Sequence, residues 1–417
     1  MNVDPQRSPG SFLSLGIAPQ ILRILEAKKF TVPTPIQEQS IPSGIAGKDI
    51  VGIAQTGTGK TFAFGIPMLQ RLAQGPGRGL VVVPTRELAY QVEQSLNTFA
   101  PALGIRTAVL VGGASMGLQK QMIRNNPRIV IATPGRLNDH LEQRTITLRE
   151  VNILVLDEAD RMLDMGFRPQ IDLILKQVPR ERQTLLFSAT MPAEILRLMK
   201  AEMKLPISIE VAPSGTTAAG VQQELFVVNK FEKLPLLETL LREHKGSILV
   251  FSRTKHGAKK ITHALRAMGF TAAEIHANRT LSQRREALDG FKRGAYRILV
   301  ATDIAARGID VAGIEVVINF DLPNDPHDYV HRIGRTARAG REGRAISFAT
   351  GDQRNDIRNI ERIIRSSLRR TPTPLLPKHI PVPEHRSPDH DRHRPSRPPF
   401  RNARSPRSFG RNRGNRR

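Results

Sequence analysis

Short, almost wholly apolar runs punctuate the chain at 49–53, 80–83, 107–111, 129–131, 153–156 and 184–187. A second series follows at 225–228, 248–251, 298–300, 316–319 and 345–348. Strands covered on both faces read as such continuous runs, whereas half-exposed strands alternate apolar and polar positions. Between the runs lie amphipathic segments, for example 86–99 and 255–268. Buried strands separated by helices predict parallel sheets with helices on each side, an α/β fold. The stretch 212–220 (Ala-Pro-Ser-Gly-Thr-Thr-Ala-Ala-Gly) is small and polar, and it divides the two series as a linker would. Two α/β domains are therefore expected, over 1–211 and 221–370. Their similar layout hints at a duplicated fold.

From Thr371 to Arg417 the pattern stops. This segment carries one lysine and eleven arginines against three acids, so it holds nine of the chain's +25 net charges. It is rich in Pro, Ser and Asn, and its only aromatic residues are Phe400 and Phe409. Such a composition cannot bury enough apolar surface to offset chain entropy, which predicts a disordered basic tail. An RNA tether is the sharper reading of the tail, because arginine neutralises phosphate and stacks on bases. A solubilising tail is the plainer one. The overall surplus of charge points to a polyanion partner.

The 417 residues include no cysteine, which excludes disulfides, thiolate metal sites and a cysteine nucleophile. No apolar run approaches the ~20 residues of a membrane span. The first ten residues lack both the basic start and the apolar stretch of a signal peptide. A cytoplasmic protein without a membrane partner is expected.

Two motifs carry chemistry. The run 49–53 leads into Ala54-Gln55-Thr56-Gly57-Thr58-Gly59-Lys60-Thr61, a phosphate-loop pattern with Ala54 at the usual first glycine. Its glycines let backbone N–H groups converge on phosphate oxygens, and the following helix start adds its dipole. Lys60 would reach the β- and γ-phosphates of ATP, and Thr61 would ligate Mg2+. The run 153–156 ends in Asp157-Glu158-Ala159-Asp160. Carboxylates at the carboxyl end of a buried strand sit where α/β sheets place ligand groups. Asp157 would hold Mg2+, partly through water, and Glu158 would deprotonate the attacking water. The plainer reading is an acidic helix start.

At this point the chain resembles the DEAD-box RNA helicase family over about residues 10–350, with the motifs in the family's order. Residues 157–160 spell the family's namesake tetrapeptide. Phe30-Thr31-Val32-Pro33-Thr34-Pro35-Ile36-Gln37 resembles its adenine-recognising motif, with Phe12 as the isolated upstream aromatic. The Gln37 amide both donates and accepts, as an adenine edge requires. The resemblance implies two RecA-like domains in tandem. It implies RNA-backbone contacts at Pro84, Thr85, Arg86, Gly112, Gly113, Thr133, Pro134, Gly135, Arg136, Arg253 and Thr302. It implies nucleotide contacts at Thr56, Gly57, Thr58, Gly59, Gly308 and Asp310. Asp160, Ser188, Thr190 and His331 would couple hydrolysis to unwinding. Arg335 and Arg338, three apart on a helix face, would act as arginine fingers.

The pattern departs from the family at Ala277, after His276, and at Leu281, where a Gln is usual; Arg284 and Gln283 lie nearby. Thr336-Ala337-Arg338 and the basic tail resemble the bacterial RhlE-like subgroup. The expected activity is an RNA-dependent ATPase that locally unwinds RNA duplexes or RNPs, with ribosome-assembly or RNA-decay proteins as possible partners. The competing expectations are a DNA helicase, a non-catalytic RNA clamp and a tail-driven RNA chaperone.

Overall fold

The computed structural model describes residues 10–54, 57–211, 221–306, 311, 313–337 and 342–377. Its first half contains strands β1 (Ile50–Ile53), β2 (Arg78–Val82), β3 (Thr107–Leu110), β4 (Ile129–Ala132), β5 (Val151–Leu156), β6 (Gln183–Ser188) and β7 (Ile207–Glu210). The second half contains β8 (Val221–Val227), β9 (Ser247–Phe251), β10 (Ala272–Ile275), β11 (Ile298–Ala301), β12 (Ile314–Asn319), β13 (Gly343–Ala349) and β14 (Arg369–Arg370). They form two seven-stranded sheets, in the orders β3-β4-β2-β5-β6-β1-β7 and β10-β11-β9-β12-β13-β8-β14. The ladders within both are parallel. These are two parallel α/β domains in tandem, as the apolar runs predict, and they fit the RecA-like pair that the family resemblance implies.

Successive residues of a central strand serve opposite cores. In β5, Ile153 and Val155 join one apolar cluster while Leu154 and Leu156 join the other. In β9, Ile248 and Val250 face one cluster and Leu249 and Phe251 the second. This double coverage is why polar positions are nearly missing from these strands.

Three strands were not legible in the pattern. In β7, Ile-Ser-Ile-Glu lies at a sheet edge with only Ile209 buried. In β10, Ala-Ala-Glu-Ile is short of β-branched residues; it is buried by the helices Lys255–Ala267 and Leu281–Lys292 packed against it. β14 has only two residues. Chain order also runs past the expected boundary at 370. The Thr371 amide donates to the Leu225 carbonyl at 2.9 Å, and Leu376 packs on the cluster of Phe226 and Ile346. The linker 212–220 and the tail from 378 lie outside the described residues.

Candidate functional site

In a parallel sheet every strand ends on the same side, so the loops after β1, β2, β4, β5 and β6 gather along one rim. The loop after β1 turns into the helix Lys60–Gln74 through two left-handed glycines, Gly57 (φ 88°) and Gly59 (φ 90°). A Cβ at Gly59 would run into the Gln37 amide. That amide ties the loop to the preceding helix Pro35–Ile45. Gln37 Nε2 donates to the Gly59 carbonyl at 3.0 Å, and Gln37 Oε1 accepts from the Thr34 amide at 3.0 Å, closing a capping box. The residue expected at an adenine edge is thus also a brace for the phosphate loop. Lys60 is buried, and its Nζ donates to the Ala54 carbonyl at 3.0 Å.

A cavity of about 330 Å3 opens on this loop. It brings together nine of the expected residues: Phe12, Phe30, Gln37, Gly57, Gly59, Lys60, Thr61, Asp157 and Glu158. Val32, Phe62, Leu88 and Gln91 also line it, unforeseen from the sequence. Phe30 stays 44% exposed and packs edge-on against Phe62 with centroids 5.2 Å apart, an aromatic wall open to solvent. Phe12, which lines the same cavity, is instead almost fully buried.

The carboxylates follow β5. Asp157 is 3% exposed and accepts from the Glu158 amide at 2.9 Å. Burial pushes its carboxyl up to about 6, against the pull of Lys60 and with Glu158 adding to the rise. Glu158 holds a left-handed backbone, φ 51° and ψ 50°, which is strained for a residue with a side chain. A buried carboxyl with raised proton affinity that shares its cavity with Thr61 is a donor set that a small hard cation would relieve. Among the described residues no cluster of three or more His, Cys, Asp or Glu could hold a metal unaided. Thr61 and Asp157 therefore fit Mg2+ carried in with nucleotide phosphates, rather than a protein-only cage.

Asp160 anchors the next loop. Its Oδ2 accepts from the Ala189 amide (3.1 Å), the Thr190 amide (2.8 Å) and the Thr190 hydroxyl (2.9 Å), while the Asp160 amide donates to Ser188 Oγ at 3.3 Å. Burial alone would raise this carboxyl; His331, Lys60 and the Thr190 bonds outweigh it and hold it below its ordinary value. His331, on the helix Pro326–Ile333 of the second domain, is pushed down to about 4 by burial, with Arg161 adding to the effect.

Among the described residues two buried ion pairs cross between the domains, and the sequence does not name the partners in either. Arg161, next to the tetrapeptide, pairs with Asp328 on the His331 helix. Arg284 Nη2 lies 2.9 Å from Glu87 Oε1, yet the Glu87 oxygens lack an aligned hydrogen bond. Burial raises Glu87, and Arg284 opposes the rise. Arg284 thus has an inter-domain partner although Leu281 replaces Gln. Gln283 is occupied otherwise, in the capping box with Thr280.

Arg335 is 4% exposed, its Nε donating to the His331 carbonyl at 3.2 Å, and it does not line the Lys60 cavity. The neighbouring Arg332 is a hub that sequence reasoning missed. It forks onto Asp303, donates to Asn319 Oδ1 (3.1 Å) and the Asp321 carbonyl (2.6 Å), and stacks 4.9 Å from the Phe251 centroid.

The expected RNA residues that are described follow the strand ends. Thr85 caps the helix Arg86–Leu96 by accepting from the Leu88 amide at 3.3 Å, and Pro84 precedes it after β2. The Arg86 guanidinium fills the space over Gly112 and Gly113. Thr133 begins the helix Pro134–Glu142, which carries Gly135 and Arg136; Arg136 donates to the Ala114 carbonyl at 3.0 Å. Arg253 is exposed and donates to the Leu322 carbonyl at 3.2 Å, and Thr302 follows β11. Thr58 is on the loop with Gly57 and Gly59. Thr56, Gly308, Asp310 and Arg338 lie outside the described residues.

Comparison with known proteins places this geometry. Residues 34–198 match the DEAD/DEAH box helicase model, and residues 230–340 match the helicase conserved C-terminal domain model. The ATP-dependent rRNA helicase RRP3 of Scheffersomyces stipitis is 43% identical over 378 residues, covering 90% of this chain and 78% of the relative. The DEAD-box ATP-dependent RNA helicase CshA of Bacillus licheniformis is 43% identical over 373 residues, covering 89% and 77%. Among solved structures, S. cerevisiae Dbp5 bound to RNA and ADP BeF3 aligns with a TM-score of 0.79 and 30% identity, covering 87% of this chain and 96% of that one. Mss116p bound to ssRNA and AMP-PNP aligns with a TM-score of 0.81 and 28% identity, covering 88% and 80%. Matched in both domains, and across most of its length by these relatives, the chain belongs to the DEAD-box RNA helicase family.

Proposed function

We propose that this chain, an ATP-dependent RNA helicase, clamps RNA between its two domains and pries short duplexes apart as it turns over ATP. The observation that carries the reading is the loop 157–160. It presents the carboxylates to the phosphate-loop cavity, is held by Ser188 and Thr190, and adjoins Arg161, which is paired to the second domain. Hydrolysis groups and domain interface are thus one piece of structure.

In this reading Phe30 and Gln37 receive the adenine, and Gly57 to Thr61 with Lys60 receive the phosphates. Thr61 and Asp157 would hold Mg2+, which when bound would neutralise charge on the phosphate oxygens. Glu158 takes a proton from water as its oxygen bonds to the γ-phosphorus and the bond to the β-phosphate oxygen breaks, leaving ADP. Arg335 and Arg338 stabilise the developing charge when the domains close. Pro84, Thr85, Arg86, Gly112, Gly113, Thr133–Arg136, Arg253 and Thr302 contact sugar and phosphate, which carry little sequence information. RNA favours closure and closure favours hydrolysis, a reciprocal coupling between two sites.

The domain division at 212–220, an RNA-tethering role for the tail, and the RhlE-like subgroup belong to the same proposal. Thr336-Ala337-Arg338 and the Arg/Pro-rich tail support the subgroup. A cytoplasmic location and ribosome-assembly or RNA-decay partners extend it; the name of the rRNA helicase relative supports a ribosomal substrate. Among the described residues no helix is long and apolar enough to cross a membrane.

The test is steady-state ATPase with and without RNA, on the full chain and on Glu158→Gln. RNA should stimulate turnover, and the variant should bind ATP and RNA while losing at least ~10²-fold in kcat, the scale of general base catalysis. Normal turnover by the variant would assign the base elsewhere.

A further inference from the structure

The helix Lys255–Ala267 stands apart from its neighbours. In the second domain the described helices of eight residues or more are Lys233–Glu243, Leu281–Lys292, Pro326–Ile333 and Arg354–Ile364, besides this one. Each of those four contains at least one acid, and Arg242–Glu238 and Arg285–Asp289 pair one turn apart along their helices. Lys255–Ala267 contains none. It carries Lys255, His256, Lys259, Lys260, His263 and Arg266, all exposed.

Helical geometry gathers these six. At 3.6 residues per turn they fall within an arc of about 140°. Ala258, Ile261, Thr262 and Leu265 occupy the opposite face and are buried. Lys255, Lys259, His263 and Arg266 form one row, with a cation or imidazole every turn, about 6 Å apart along the axis. Lys255 Nζ donates to Asn278 Oδ1 at 3.1 Å, and Arg266 Nε donates to the Ala272 carbonyl at 2.8 Å. Both acceptors are neutral, so neither removes the charge. The row begins two residues after Arg253, an expected RNA contact.

We infer that the exposed face of this helix docks the phosphate backbone of duplex RNA lying beyond the separated strand. The inference rests on the RNA-helicase reading. A linear, uncompensated array of cations about 16 Å long matches a polyanion. The array is rigid and stands on an outward-facing helix. A single strand would lose conformational freedom to follow it, whereas a duplex presents rows of phosphate already in place. The contact would hold the unopened part of a substrate while the cleft works on its end, raising apparent affinity for structured RNA without touching the ATP site.

The test uses the full chain. Binding is measured across a salt series, for a short RNA duplex with a single-stranded overhang and for the overhang strand alone. K259E/K260E should lower the slope of log affinity against log salt by about two on the duplex, about one for each phosphate that is no longer neutralised. The overhang strand alone should show no change, and kcat at saturating RNA should stay at the parent value. K176E/K200E, exposed lysines on the first domain, make the same change in net charge and should leave the slope unaltered. An unchanged slope for K259E/K260E, an equal drop on the single strand, or an equal drop in K176E/K200E would each overturn the inference. A parent chain whose ATPase ignores RNA would overturn the underlying helicase reading instead.

Discussion

Arg161 lets the domain interface be weighed. Its guanidinium is buried against Asp328, whose side chain keeps only 10% of its exposure. In Arg161→Ala the closed form leaves the Asp328 carboxylate desolvated without its Arg161 partner, whereas the open form hydrates it. Removing one member of a buried pair costs about 3–5 kcal/mol. The residual exposure of Asp328 admits some water and places this case near ~3 kcal/mol. At about 1.4 kcal/mol per decade, closure becomes about 10²-fold rarer, and RNA-stimulated kcat should fall by the same factor. ATP binding should change little, because Arg161 does not line the phosphate-loop cavity. The assay is a coupled ATPase titrated with RNA, alongside binding of a fluorescent ATP analogue. Arg161→Ala/Asp328→Ala should recover much of the activity, since neither member of the Arg161–Asp328 pair is then buried without the other. A single variant within about threefold of the parent, or a double variant no better than the single, would refute the reasoning.

The Asp157 carboxyl, pushed up to about 6 by burial, predicts a linked proton. An acid raised in this way holds its proton as pH falls through about 6, and metal binding must expel it. At pH 5.5 the binding of Mg2+ with a nucleotide should release about three-quarters of a proton more than in Asp157→Asn, by calorimetry in two buffers of different ionisation enthalpy. Equal release in both chains would remove Asp157 from the metal site. Arg332→Lys keeps the charge but replaces a fork with a point charge and strands part of Asp303 and Asn319, so the second domain should lose about 1–3 kcal/mol in urea unfolding of the whole chain. A loss under about 1 kcal/mol would mean that the hub's partners re-pair with solvent.

The strands and the ATP-side residues were legible because each is local. A two-faced apolar run declares a buried strand, and a glycine-rich turn before Lys60 declares a phosphate cradle. What the sequence hid depends on residues far apart in the chain. Nothing local distinguishes Arg332, buried on Asp303, from Arg335 three positions on. Glu87 sits within a run expected to touch RNA, and its pairing with Arg284 becomes visible only once two domains meet. Gln37 was read for its amide chemistry, which is right in kind; its bonds to Thr34 and Gly59 need the helix and loop in place. In β10, two alanines and a glutamate signal no strand until helices cover them.

The position of β1 in its sheet governs how the chain emerges from the ribosome. Ile50 pairs with Leu185 on one side and Ile207 on the other, so the strand feeding the phosphate loop has no sheet neighbour until some 135 further residues are made. At roughly 5–20 residues per second, that leaves it unpaired for about seven to twenty-seven seconds. During that interval Ile50, Val51 and Ile53 form an exposed apolar edge of the kind that templates association between chains. Slow translation between codons 50 and 207 should therefore cost yield more than an equal delay placed after 210.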